Sequence, residues 1–338
     1  MTRHFGLVVA LFLALAVCGS GIAFAKDDKV KVICASRAET PPVIDGVLDD
    51  ACWQNAEVHD DFISLIPGRS YRTTMRLAYD DKNLYLGTEC FWDDVGRLKK
   101  LVDEMKAKPN FSEGFVDIAN FTNGCSLELF LDPGATMRNH YQVVFNAAGQ
   151  ICGQFKQNWD PFSARPNCRV KITETGWTAE MVFPDQGIRK GDFLPGKEWG
   201  FNLARNDEPN LAVCIWKEVG AVFNEPKQFG RLIIGDYETW WQGVWKGGMV
   251  SRYETISGGI ENAKGIVAYV YPMYSEVGLG MEKLKGIGGG EALKSRSGFE
   301  NVYNGYNELY GLFHRLDALY ATIESIARIE ERTSQAGQ

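Results

Sequence analysis

In "TTMRLAYDDKNLYLGTECFWDD", residues 73–94, apolar and polar side chains alternate on either side of a turn. Met75, Leu77 and Tyr79 fall on one side and Thr74, Arg76 and Ala78 on the other. After "DDKN" (80–83), Leu84, Leu86, Thr88, Cys90 and Trp92 alternate with Tyr85, Gly87, Glu89 and Phe91. A period of two marks strands with one face buried, and an Asp- and Asn-rich connection marks the reversal between them. The stretch therefore predicts an antiparallel hairpin.

The same signature recurs on both sides of it. "SLELFLDP" (126–133) sets Leu127, Leu129 and Leu131 against Glu128 and Phe130, and "WTAEMVFP" (177–184) and "WGFNLARND" (199–207) repeat the alternation. "NAAGQ" (146–150) has the composition of a second hairpin connection. Residues 95–107 break the pattern as one amphipathic helix with Leu98, Leu101, Val102 and Met105 on a stripe. Many short strands with few helices predict a mainly β fold, an antiparallel β-sandwich over residues 37–236.

The flanks differ. Arg3 and His4 precede an apolar run, and Ala23-Phe24-Ala25 supplies small residues for cleavage. This predicts a signal peptide over 1–25 and a periplasmic or extracellular protein beginning at Lys26. The competing cut is a lipoprotein signal at Cys18. Seven cysteines then remain, without zinc spacing, and are expected to be mostly buried thiols with at most one or two bridges. The net charge of −7 argues against nucleic acid, and no segment after the signal is apolar for long enough to span a bilayer.

Residues 237–338 form a helical region. Val302, Tyr306, Leu309, Phe313, Leu316, Tyr320, Ile323 and Ala327 step alternately by four and three, a coiled-coil seam. A hairpin with a helix over 261–285 is the first expectation, ahead of packing on the sandwich or on another copy of the chain as a homo-oligomer. Pro272 should bend that helix, and the Gly-rich 286–298 reads as a flexible connection.

Three kinds of chemistry suit the residues present. Glycoside hydrolysis needs two convergent carboxylates, for which Glu128, Asp132, Glu180 and Asp207 are candidates. In "PPVIDGVLDDACWQNA" (41–56), Asp45 and Asp49 are calcium candidates, although Asp-Gly is also an ordinary turn and Asp49 suits a helix cap. Finally, sugar rings stack on exposed aromatics beside planar polar groups, and Phe121, Trp159, Phe162, Trp216 and Phe223 lie in loop-like stretches.

The stretches at 41–56, 76–94, 126–133, 141–150, 177–184, 199–207 and 223–234, in that order, resemble the carbohydrate-binding module family 9 domain of the DOMON-like β-sandwich superfamily. The resemblance implies that Trp53 is core and that Asp45-Gly46 turns the chain. It also implies a sugar site in which a ring is clamped between two aromatics. The second clamp position falls on Phe223. The first falls on Thr122, flanked by Phe121 and Asn123, while the family's arginine becomes Gln142, an amide becomes Gly220, and Glu128 is retained. Some members hold structural calcium, and the superfamily includes haem domains, for which Met137 and His140 lie in the right region.

The resulting expectation is an exported, non-catalytic carbohydrate-binding protein in polysaccharide catabolism. Its ligand would be a glycan or oligosaccharide end, held by Phe121, Thr122, Asn123, Glu128, Gln142 and Phe223. The alternatives are an envelope scaffold assembled through the heptad helix and a glycoside hydrolase-associated activity on O-glycosyl bonds.

Overall fold

A computed structural model describes residues 29–155, 165–184, 194–208, 211–219, 223–262 and 267–336. The expected signal segment, Cys18, Trp159, Phe162 and Gly220 lie outside the described residues. The chain divides into a sheet unit, Lys31–Trp240, and a helical unit from Trp241 onward.

The hairpin read from 73–94 is present as β3 (Thr73–Tyr79) and β4 (Asn83–Phe91), with β1 (Val32–Arg37) and the two-residue β2 (Ile63–Ser64) before it. Asp80 Oδ1 closes the turn by accepting from the Lys82 and Asn83 amides at 2.7 and 2.8 Å. The remaining strands are β5 (Gly114–Phe115), β6 (Ser126–Pro133), β7 (Tyr141–Asn146), β8 (Gln150–Phe155), β9 (Asn167–Ile172), β10 (Gly176–Pro184), β11 (Glu198–Glu208), β12 (Leu211–Ile215) and β13 (Gly230–Ile234).

The strands form a single hydrogen-bonded path in the order β5-β8-β7-β6-β11-β13-β1-β3-β4-β10-β9, where the sequence predicted two antiparallel layers. The joint is β1. Val32–Ala35 pair in parallel with β13, and Ser36 and Arg37 pair in parallel with β3. Pairing between strands two hundred residues apart leaves no local mark, which is why the expected start at 37 missed this strand. The two limbs share one apolar core. β3 and β4 supply Met75, Leu77, Leu84 and Leu86; β6, β7 and β11 supply Leu127, Leu129, Leu131, Phe145, Trp199 and Leu203. Helix α2 (Val95–Lys106) packs Leu98, Val102 and Met105 into the same core, and the Asp94 carboxylate caps it by accepting from the Arg97 amide.

Arg205 ties the limbs together from β11. It is 1% exposed, donates to the Arg72 and Phe91 carbonyls at 3.0 and 2.9 Å, and is balanced by Asp207 at 2.6 Å. A buried charge is tolerable only when paired and hydrogen-bonded in this way.

The 41–56 stretch covers the outer face of β3 and β4. The short helix α1 (Ala51–Asn55) lays Cys52 and Trp53 on Ala78 and Tyr85, so these strands are buried on both faces. One carboxylate holds the whole stretch. Glu180, fully buried, accepts from the Asp45 and Gly46 amides at 2.9 and 2.8 Å and from the Trp53 indole at 2.7 Å. Gly46 is required here: its φ is +90°, and a Cβ would lie 2.9 Å from the Val170 carbonyl carbon. Asp49 does not cap α1. Asp50 occupies the cap position, and its carboxylate accepts from the Val43 amide.

All seven described cysteines are buried and free, in keeping with the expectation of mostly buried thiols and at most one or two bridges.

After α3 (Tyr237–Trp240), the helical unit opens with wide turns over Trp241–Val250 and continues as α4 (Ser251–Asn262), α5 (Val267–Ile287) and α6 (Arg296–Ala336). The predicted seam is buried from Val302 to Ile323, and α5 and α4 cover it within the chain. Contact is close. A Cβ on Gly280 would sit 2.6 Å from the Leu309 side chain, and one on Gly259 would overlap the Tyr320 ring. The seam thus serves an intramolecular hairpin, and Pro272 lies inside the helix. The connection expected to be flexible holds a 3-10 turn, Gly290–Lys294, with Leu293 buried. Among the described residues no helix is long and apolar enough to cross a membrane.

Candidate functional site

Alternation along β6 sends Leu127, Leu129 and Leu131 inward and leaves Glu128 and Phe130 on the opposite face. Register then fixes Glu128's neighbours. It stands opposite Val144 on β7 and Ala204 on β11, so Gln142 and Asn206 lie on its two diagonals, within reach of long side chains. Glu128 Oε2 accepts from the Gln142 amide at 3.0 Å, and Oε1 accepts from the Asn206 amide at 2.9 Å. Gln142 Oε1 accepts in turn from Gln154 on β8 at 2.5 Å. One carboxylate and three planar amides therefore form a continuous polar row across β11, β6, β7 and β8.

Apolar clusters flank the row. Toward β8, the half-buried Phe121 packs on Val116, Val144 and Cys152. Burial, with the Glu128 charge adding to it, pushes the Cys152 thiol up to about 12, so this floor is neutral. Toward β12, the half-buried Phe223 packs with Phe130, Ala204, Ile215 and Phe229. The two part-exposed rings thus bracket the polar row.

The loop carrying Phe121 is positioned from below. The Thr122 amide donates to Gln150 Oε1 at 2.9 Å, the Thr122 carbonyl accepts from Asn146 Nδ2 at 3.0 Å, and Gln150 Nε2 donates to the Asn120 carbonyl. Asn146 and Gln150 are buried beside the β7–β8 turn. Thr122 acts here through its backbone, and Asn123 is exposed at the loop's surface.

Of the six expected residues, Phe121, Glu128, Gln142 and Phe223 share this face, and Thr122 anchors its edge. Asn206 and Gln154 complete the row but were not among the expected residues. Parity within "WGFNLARND" puts Asn206 on the face of Asn202 and Ala204, yet only the β6–β11 register brings it to Glu128.

The four carboxylates proposed for hydrolysis do not converge as a pair. Glu180 holds the 41–56 stretch, and Asp207 faces inward against Arg205. Asp132 accepts from Thr136 Oγ1 and the Met137 amide, both at 2.7 Å. It lies four residues along β6 from Glu128, about 13 Å at strand rise, beyond the roughly 5–9.5 Å that either glycosidase geometry uses.

The calcium candidates do not form a carboxylate cage. Asp45 Oδ1 accepts from the Val47 amide and Asp49 is exposed. No three His, Cys, Asp or Glu side chains are grouped for a metal among the described residues. An axial haem role does not fit His140, which is 3% exposed with its ring centroid 6.0 Å from Phe130 and 5.5 Å from Phe229. Burial holds its basicity below the ordinary value, with Asp132 and Glu225 pulling the other way.

A search of curated proteins finds no match. Two solved structures are similar at TM-score 0.44, both a carbohydrate binding module family 9 from Caldicellulosiruptor kristjanssonii. The one in complex with cellotriose is 19% identical and covers 61% of this chain and 94% of its own. The one in complex with glucose is 20% identical and covers 60% and 95%. The sequence profile described as "Carbohydrate family 9 binding domain-like" matches residues 44–236, more than half of the 338 residues. The chain therefore belongs to the carbohydrate family 9 binding domain-like family.

Proposed function

We propose that this chain is an exported, non-catalytic carbohydrate-binding protein that holds a glycan during polysaccharide breakdown. The observation that carries this reading is the polar row Asn206–Glu128–Gln142–Gln154 set between Phe121 and Phe223. A sugar ring needs apolar surface for its C–H faces and fixed donors and acceptors for its hydroxyls. The two part-exposed rings supply the first. Glu128 offers acceptor oxygens, the part-exposed Gln142 and Asn206 amides offer donors and acceptors, and the buried Gln154 holds Gln142 in place. Interlocking bonds hold these side chains in place before a ligand arrives, which lowers the ordering cost of binding. Export rests on the N-terminal charge and apolar pattern, and the catabolic role rests on the company such modules keep. Of the carboxylates weighed for hydrolysis, Glu180, Asp207 and Asp132 are each engaged elsewhere and none pairs with Glu128, which favours binding over hydrolysis. The heptad seam is covered within the chain, so assembly is not assigned to it.

A glycan array tests the reading. The mature protein should give a hit with a neutral polysaccharide or its fragments, and Phe223→Ala should abolish it while the thermal unfolding curve keeps its shape. A silent array with a folded protein refutes sugar binding.

A further inference from the structure

A cleft lies beyond Phe121, past the β8 end of the polar row. It has a volume of about 350 Å3 and is lined by Ser112, Phe115, Val116, Asp117, Asn120 and Arg165. Such a volume falls in the range of small-ligand sites, about 300–1,000 Å3.

Three observations join it to the site already described. β5 is the next strand after β8, so the cleft continues the direction of the row. Val116 belongs to both, lining the cleft and packing in the cluster that carries Phe121. The turn holding Asp117 and Asn120 runs directly into Phe121, and the bond from Gln150 to the Asn120 carbonyl fixes its backbone. The row itself crosses three strand spacings, about 14 Å. That is longer than a single pyranose ring, and the cleft extends it.

The cleft's chemistry is that of a hydroxyl-rich neutral ligand. Arg165 donates only, Asp117 accepts only, and Ser112 and Asn120 do both. Arg165 lies over the Phe115 ring, with Cζ 5.7 Å from its centroid, a contact that orients the guanidinium. One cation and one anion cancel, so the lining does not select a charged sugar.

We propose that this cleft is an additional sugar subsite, which takes a further unit of the oligosaccharide gripped between Phe121 and Phe223. The proposal rests on the sugar-binding reading above and deepens it: the ligand is a chain of several neutral units running from β11 toward β5.

Calorimetric titration of the mature protein with glucose-to-cellotetraose and xylose-to-xylotetraose series tests it. In the series that binds, Kd should fall about ten-fold between the disaccharide and the tetrasaccharide. Ser112→Ala and Arg165→Ala, both at exposed positions, should each remove most of that increment and leave the shortest ligand's Kd unchanged. Affinity independent of chain length, or a length dependence that both variants retain, overturns the subsite alone. Two silent series with folded protein overturn both the subsite and the sugar-binding reading.

Discussion

Trp53→Phe should destabilise the sheet unit by about 3 kcal/mol, and more at neutral than at acid pH. The indole N–H donates to Glu180 Oε1 at 2.7 Å in a fully buried setting. A hydrogen bond to an ionised group contributes roughly 1.5–3 kcal/mol. The smaller ring also leaves a void among Cys52, Ala78 and Tyr85, for which about 1 kcal/mol is a modest allowance. At roughly 2–4 °C per kcal/mol for a domain of this size, Tm falls by about 6–12 °C. The pH dependence has a definite sign. Burial raises the Glu180 pKa above its ordinary 4.5, and the bonds from the Asp45 amide, the Trp53 indole and the Gly46 amide oppose that rise. A raised folded pKa means stability is fully present below about 4.5 and lost as pH climbs through the folded value. Removing the indole bond raises the folded value further, so the variant's deficit grows from acid toward neutral pH. Urea unfolding of both proteins at pH 4 and pH 7.5 measures it. A deficit under about 1 kcal/mol, or one equal at the two pH values, refutes the claim that Glu180 and Trp53 lock the 41–56 stretch.

Other consequences are testable in the same way. Asn206→Ala removes a donor from Glu128 and should weaken sugar binding about ten-fold with Tm nearly unchanged, because Asn206 is half-exposed; equal Kd values would show that the row does not touch ligand. His140 sits neutral among Phe130 and Phe229 with its pKa held below 6.5, so stability should fall as pH drops below 6.5, where the unfolded chain takes up the proton first. His140→Phe should flatten that part of the urea profile, and an unchanged slope would contradict it. Gly280→Leu places a side chain where Leu309 already lies, and should lower the helical content that survives mild heating, as followed by circular dichroism.

What the sequence revealed and what it hid divide along local and non-local lines. The alternation in 73–94 and 126–133 assigned inner and outer faces correctly, because a strand's period is written in adjacent residues. Leu98, Val102 and Met105 marked α2 for the same reason. The parallel pairing of β1 with both β13 and β3 could not be read, since it depends on strands far apart in the chain. The site follows the same rule. Glu128, Phe121 and Phe223 were legible as residue types in suggestive places. Asn206 and Gln154 were not, because their roles arise from register across three strand pairs. Glu180 looked like a candidate acid until folding brought two backbone amides and an indole to it.

The most direct test is a crystal structure of the mature protein with the tightest-binding glycan from the array. The expected result is a glycan lying along the row between Phe121 and Phe223 with its hydroxyls on Glu128, Gln142 and Asn206. A sugar bound elsewhere on the molecule, with that face empty, would contradict it.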